Sequence, residues 1–134
     1  MLTNDKGLTT NTNKGYFKFE KLRVWQDARE FVSFVYKITS TFPKEERFGL
    51  IDQIRRAAVS IALNIAEGCT KGSDKDFRRY LKIAQGSVNE VITGFYLALD
   101  LHFVNEKDFT IVYDYSQKVN AKLNAFSKAL SVSR

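Results

Sequence analysis

Six polar residues, spaced three or four apart along two predicted helices, are the part of this sequence best placed to do chemistry. Side chains at this spacing share one side of a helix, so they form continuous polar lines among apolar neighbours. Arginine, serine and glutamate together could form a catalytic set, and two carboxylates could do acid–base work or hold a metal. The six residues are Arg56, Ser60, Asn64, Glu67, Ser87 and Glu90.

The rest of the chain gives little support to either kind of chemistry. A serine nucleophile needs a general base beside it, and the stretch around Ser60 offers none. Carboxylate metal sites in helical bundles use Glu-x-x-His motifs, but His102 is the only histidine and Cys69 the only cysteine. These two residues cannot complete a zinc site of four histidine or cysteine ligands. We therefore expect no enzymatic activity, no metal and no cofactor.

A structural role fits the polar residues better. A buried charge is costly without a partner, so Arg56 is expected to pair with Glu67 or Glu90. The amide of Asn64 is expected to bond Ser87 or an opposing main chain. Such a polar network would fix the register of packed helices and the choice of partner more than it would add stability.

A basic segment is the second candidate site. Between Lys71 and Lys82, five basic and two acidic residues leave three net positive charges within twelve residues. Lys75, Arg78 and Lys82 are three and four residues apart, so they share one side of a helix. The alternative to a phosphate-binding face is a solvated helix surface that the two aspartates partly neutralise. The candidate nucleic-acid-binding residues are Lys71, Lys75, Arg78, Arg79 and Lys82.

Both candidate sites lie on predicted helices. Apolar residues recur at helical spacing in four segments, and no segment alternates with period two over a useful length. Pro43 ends the first helix, and Gly68 is expected just past the end of the second. Ser73 and Asn105 are expected to cap the third and fourth. Short loops between four helices predict an all-α, antiparallel, up-down-up-down four-helix bundle. The predicted helices run from Leu22 to about Phe42, from Glu45 or Phe48 to Glu67, from about Asp74 to Leu101 and from about Glu106 to Leu130.

The second helix carries more apolar surface than one bundle core can cover. Ile54, Ile61 and Ile65 fall within one narrow sector that faces the core. Val59 and Leu63 lie roughly opposite. Because exposed apolar patches of several hundred Å² usually mark contact with a partner, we expect copies of the same chain to cover this second surface.

Length, composition and charge narrow the class of protein. The chain has 134 residues, 44% of them hydrophobic, which suits one packed domain. Residues 1–17 are polar and show no period, so we expect a disordered N-terminal tail before a bundle domain at residues 18–131. A net charge of +6 favours an anionic partner, nucleic acid before a membrane surface, although it could serve solubility alone. The absence of a long apolar run or a secretory signal, together with the single cysteine, predicts a cytoplasmic protein without a membrane span.

Four stretches, in order along the chain, resemble one known family. "VWQDA", "VYKITSTFP", "FGLIDQIRRAAVSIALNIAEG" and "FRRYLKIAQGSVNE" are similar to the four-helix-bundle proteins of the 23S rRNA intervening-sequence family, over about Phe19 to Leu130. That family looks related to the accessory proteins of diversity-generating retroelements. The resemblance implies a bacterial bundle that assembles as a homopentamer and has no enzymatic activity. Its retroelement relatives bind nucleic acid and a reverse transcriptase.

Two functional hypotheses follow. In the first, a ring-like homopentamer binds RNA or a DNA/RNA hybrid through charge and shape, since the sequence has no base-reading motif. In the second, the ring is a protein–protein scaffold or accessory subunit that recruits a reverse transcriptase or another enzyme and has little affinity for nucleic acid. A ring uses head-to-tail contacts, so two different patches must match, and the outer faces of the second and third helices are the candidates.

Overall fold

A computed structural model describes residues 14–132. Within that range the chain forms helices and no strand, which confirms the all-α prediction. The predicted disordered tail lies mostly at residues 1–13, outside the described residues. Four α-helices are joined by short connections, and two 3₁₀ helices lie at Lys18–Lys21 and Lys44–Glu46. The α-helices are α1, Arg23–Thr39; α2, Leu50–Cys69; α3, Asp74–Asp100; and α4, Glu106–Val132.

The starts of α3 and α4 are fixed by local capping, as predicted. Ser73 has extended backbone angles, and its hydroxyl accepts a hydrogen bond of 3.1 Å from the backbone N–H of Asp76. The side-chain oxygen of Asn105 accepts one of 2.7 Å from the backbone N–H of Asp108. Each cap satisfies an amide that has no partner within its own helix, so the third and fourth helices begin where the sequence indicates.

The end of α2 differs from the prediction because of a tertiary contact. Gly68 lies inside the helix, one residue before its end, and Gly72 adopts the left-handed angle in the turn with a φ of 86°. A Cβ atom at Gly68 would lie 2.6 Å from the Cβ atom of Tyr80 and 2.9 Å from Cδ1 of Phe77. Glycine is therefore needed at this position for the close approach of α3, and the helix continues to Cys69.

The four helices surround one apolar core. Each helix packs on the next in the chain, α4 packs back on α1, and the α2–α3 pair has the most extensive contact. Ile54 near the start of α2 lies against Gly94 near the end of α3, while Gly68 lies against Tyr80 near the start of α3. The long α2–α3 contact holds the polar residues of α2 next to those of α3.

Candidate nucleic-acid interface

Three of the six predicted polar residues meet between α2 and α3. The hydroxyl of Ser87 donates a hydrogen bond of 2.9 Å to the hydroxyl of Ser60. The amide nitrogen of Asn64 donates to the hydroxyl of Ser60 at 2.9 Å and to its backbone oxygen at 2.8 Å. Ser87 is buried, with 4% of its surface exposed. Because buried polar groups need hydrogen-bond partners, this cluster fixes the axial register of α2 against α3.

The other three predicted residues of the network lie apart from this cluster. Arg56 pairs with Asp52 one turn away, at 3.0 Å, and its side chain is 77% exposed. It does not pair with Glu67, because eleven residues of helix place the two about 16 Å apart along the axis. Glu67 pairs instead with Lys71 at 2.7 Å, and Glu90 is exposed to solvent. The expected charged pairing between α2 and α3 is thus replaced by local surface pairs.

Two of the five predicted basic residues flank one aromatic ring. The ammonium of Lys71 lies 5.5 Å from the ring centroid of Tyr80, and the guanidinium of Arg79 lies 4.8 Å from it. Each cation also has a carboxylate nearby: Lys71 pairs with Glu67, and Arg79 lies 3.9 Å from Asp76. The hydrogen bond to Glu67, followed by its charge, raises the pKa of Lys71. These two positive charges are therefore partly compensated within the chain.

The remaining three basic residues carry less compensated charge. Lys75 and Lys82 are exposed on α3, and Arg78 is half-buried between them. Within residues 14–132, no ion pair is formed by Lys75, Arg78 or Lys82. One terminal nitrogen of Arg78, Nη1, is buried without a hydrogen-bond partner. The structure thus separates two cations that have a carboxylate partner, Lys71 and Arg79, from three that form no ion pair within residues 14–132.

The outer faces of α2 and α3 both expose apolar side chains. Along α2 runs a groove of about 600 Å³, lined in part by Phe48, which is 87% exposed, and Leu63, which is 63% exposed. On α3, Ile83, Leu97 and Leu101 are 44%, 49% and 55% exposed. Ile83 lies fourteen residues before Leu97, and Leu101, the residue that follows α3, lies four residues after it, so all three fall on one side. Each of the two helices therefore exposes apolar side chains besides those that it buries in the core, and on α3 the exposed Glu90 lies between Ile83 and Leu97.

One contact that the sequence analysis missed ties α2 to the end of α1. Arg55 donates from Nε to the hydroxyl of Thr39 at 2.8 Å and from Nη2 to the backbone oxygen of Tyr36 at 3.2 Å. Its guanidinium also lies 4.4 Å from the Tyr36 ring centroid. The role of Arg55 is structural, since it satisfies carbonyl and hydroxyl groups at a helix end. Sixteen residues separate Arg55 from Thr39, and no local pattern signals their contact.

Residues 14–132 were also searched for groups of histidine, cysteine, aspartate and glutamate. No group of three or more could hold a metal ion in that part of the chain. In the same part, no helix is both long and apolar enough to span a bilayer.

Comparison with known sequences matches residues 20–125 to the sequence profile described as 23S rRNA-intervening sequence protein. The chain belongs to the 23S rRNA-intervening sequence protein family. A crystal structure of a protein of unknown function, from the S23 ribosomal protein family of Bacteroides thetaiotaomicron VPI-5482, has a similar fold, with a TM-score of 0.69 and 25% sequence identity. The alignment covers 78% of this chain and 98% of that one. No curated protein matches the sequence. Neither the description of the family nor that of the Bacteroides protein names an enzymatic reaction.

Proposed function

We propose that this protein is a non-enzymatic, homo-oligomeric bundle that binds RNA or a DNA/RNA hybrid through charge and shape. The observation that carries the proposal is the cationic side of α3. Lys75, Arg78 and Lys82 have no ion pair within residues 14–132 and lie on one side of a helix start. When such residues neutralise the phosphates of a nucleic acid, they release its counterions. The affinity for nucleic acid should therefore fall steeply as the salt concentration rises. The family description, which refers to 23S rRNA, supports the same class of partner.

The test is a salt titration of binding to an RNA hairpin and to a DNA/RNA hybrid. We expect the parent protein to bind both at low salt, and the triple variant Lys75→Glu/Arg78→Glu/Lys82→Glu to lose binding because phosphate contacts become repulsive. A matched control reverses Lys44, Lys107 and Lys118, which are exposed cations elsewhere on the bundle. The proposal fails if the parent binds neither probe, or if both triple variants weaken binding equally.

The assembly that we propose is a head-to-tail ring of five antiparallel, up-down-up-down bundles. Support comes from the two exposed apolar faces, because a head-to-tail contact needs two different surfaces on each subunit. Leu63 on α2 and Leu97 on α3 are partly exposed members of these faces. A stable contact would bury on the order of 800 Å² on each partner. Five copies would also repeat the cationic side, so weak phosphate contacts would add through multivalency.

Native mass measurement tests the ring. We expect five copies of the 15.4 kDa chain in the parent. The variants Leu63→Asp and Leu97→Asp should each dissociate into smaller species that stay helical, because a charge in a buried interface is costly. Ile111→Asp is the control, since Ile111 is an apolar residue on α4 that is 44% exposed, close to the 49% of Leu97. An unchanged mass for both interface variants would contradict the proposed contact.

A protein–protein scaffold is the second candidate, and the groove along α2 favours it, because exposed Phe48 and Leu63 lie there beside Arg47, Arg55 and Arg56. In that case the groove receives another protein, such as a reverse transcriptase, rather than a second copy. The scaffold predicts little affinity for nucleic acid at any salt concentration, so the same salt titration separates the two functions.

A further inference from the structure

A short arm in front of α1 presents a chain of aromatic rings to solvent. Tyr16 contacts Phe17 with ring centroids 5.0 Å apart, Phe17 stacks on Phe19 at 5.7 Å, and Phe19 packs on Trp25 at 4.8 Å. Exposure rises along the arm, since Phe19 is half-buried, Phe17 is 57% exposed and Tyr16 is 85% exposed. The inner rings anchor the arm on the bundle, and the outer two are exposed to solvent.

The arm is held in place by hydrogen bonds. The carboxylate of Glu20 accepts from the backbone N–H of Phe17 at 2.7 Å and from that of Lys14 at 3.2 Å. The side chain of Gln26 in α1 donates to the backbone oxygen of Glu20 at 2.9 Å. The bond from Phe17 is the main reason why the pKa of Glu20 is lowered. Because the aromatic residues are positioned before any ligand arrives, binding to them would cost less ordering entropy.

The charge of the arm favours a polyanion. Residues 14–23 contain four basic residues and one acidic residue, which gives three net positive charges. Lys14, Lys18 and Lys21 are exposed, and Arg23 is 82% exposed even though it lies 3.5 Å from Asp27. Exposed aromatic rings interleaved with lysines are the combination by which proteins bind single-stranded nucleic acid, since every base has a face that can stack.

The arm also lies beside the basic segment of α3. A cavity of about 280 Å³ is lined by Lys18 from the arm, by Gly72 and Ser73 from the turn before α3, and by Phe77 from α3 itself. The arm and the start of α3 therefore meet at the same end of the bundle, around a cavity that Asp74 also lines. Nucleic acid that binds the basic side of α3 would reach this end of the bundle, where its unpaired bases could stack on Phe17 and Tyr16.

We infer that the arm of residues 14–23 is a stacking platform for unpaired bases, so the ligand class is nucleic acid with a single-stranded segment next to its duplex. This inference rests on the proposed nucleic-acid-binding function and narrows it. The arm of a second copy is a poorer occupant, because each arm carries three net positive charges and two arms would repel each other. Single-stranded nucleic acid complements both the rings and the charge.

The experiment compares two RNA probes at low salt. One is an oligouridine of about twelve nucleotides with a central 2-aminopurine, a length within the usual range for single-strand sites. The other is a blunt RNA duplex of equal phosphate number. We expect the parent to bind the single strand and quench 2-aminopurine. Tyr16→Ala/Phe17→Ala should bind it at least about tenfold more weakly, without quenching, and bind the duplex as before. Phe17→Trp should retain the quenching.

The control variant Tyr96→Ala/Tyr113→Ala removes two exposed tyrosines from α3 and α4, and it should bind both probes as the parent does. The inference is overturned if Tyr16→Ala/Phe17→Ala binds and quenches like the parent, or if the parent binds only the duplex. The latter result leaves the proposed function intact. Failure of the parent to bind either probe removes the proposed function as well, so the two failures are distinguishable.

Discussion

The close contact between α2 and α3 makes a sharp prediction at Gly94. A Cβ atom at this position would lie 2.4 Å from Cγ1 and 3.0 Å from Cδ1 of Ile54. Real contacts between such atoms are about 3.5–4.0 Å. Ile54 is itself buried, with 1% of its surface exposed, so its side chain cannot move aside into solvent. The variant Gly94→Ala must therefore push the two helices apart or force Ile54 out of its rotamer.

The size of the effect follows from two opposing terms. Adding a methyl group to a filled core costs roughly 1–3 kcal/mol. Replacing glycine by alanine within a helix gains up to about 1 kcal/mol. Gly86 isolates the second term, because nothing lies within 4 Å of a Cβ atom added there and the residue is in the same helix. The variant Gly86→Ala should thus be more stable than the parent, and Gly94→Ala less stable than Gly86→Ala by about 1–3 kcal/mol.

The difference in the free energy of unfolding is measured by urea unfolding, with the helical circular dichroism signal as the probe. Both variants should be compared at one protein concentration, after sedimentation has shown equal sizes. The double variant Ile54→Ala/Gly94→Ala adds a further check, since removing Cγ1 should relieve the clash and make the two changes less than additive. If Gly94→Ala and Gly86→Ala unfold within about 0.5 kcal/mol of each other, the close approach that we describe is wrong.

Three further predictions concern single residues. Burial, followed by the charges of Glu30 and Asp27, raises the pKa of Tyr115 to about 12. The stability that this residue contributes is present below its unfolded pKa of about 10 and is lost as the pH rises towards 12. Tyr115→Phe should therefore flatten that part of the stability–pH curve, and an unchanged slope would contradict this. Burial also raises the pKa of the Cys69 thiol. A thiol reagent should therefore label Cys69 only at the rate of the local unfolding that exposes it. Labelling as fast as in an unfolded peptide would refute this. His102 adopts a φ of 63° just past α3, a backbone angle that glycine adopts without steric cost. His102→Gly should therefore raise the free energy of unfolding by about 0.5–1 kcal/mol, as measured by thermal unfolding. An equal gain from His102→Ala would exclude this cause.

Much of the fold could be predicted from the sequence because the signals are local. Periodic apolar residues gave four helices, and Ser73 and Asn105 marked the starts of two of them within a single turn of chain. The boundary at Gly68 was predicted wrongly for the opposite reason. A glycine can end a helix or admit a neighbouring one, and only the position of Tyr80 against it distinguishes the two.

The candidate site was predictable in composition but not in detail. The spacing of Lys75, Arg78 and Lys82 identified a cationic side, while the approach of Lys71 to the ring of Tyr80, nine residues further on, does not follow from spacing along the chain. The aromatic arm shows the same division. The rings at positions 16–19 are visible in the sequence, whereas their stacking on Trp25 and their position beside the basic segment are not.

The sequence by itself determined the helices, the excess of apolar surface on the second helix and the sign of the charge, because each of these depends on neighbours within about one or two turns of chain. Only the tertiary structure decided that the hydroxyl of Ser60 on α2 bonds that of Ser87 on α3. The physical reason is distance, because a polar side chain bonds a partner that lies within about 3 Å. The close packing of α2 on α3 at Gly68 and Gly94 determines which partner that is.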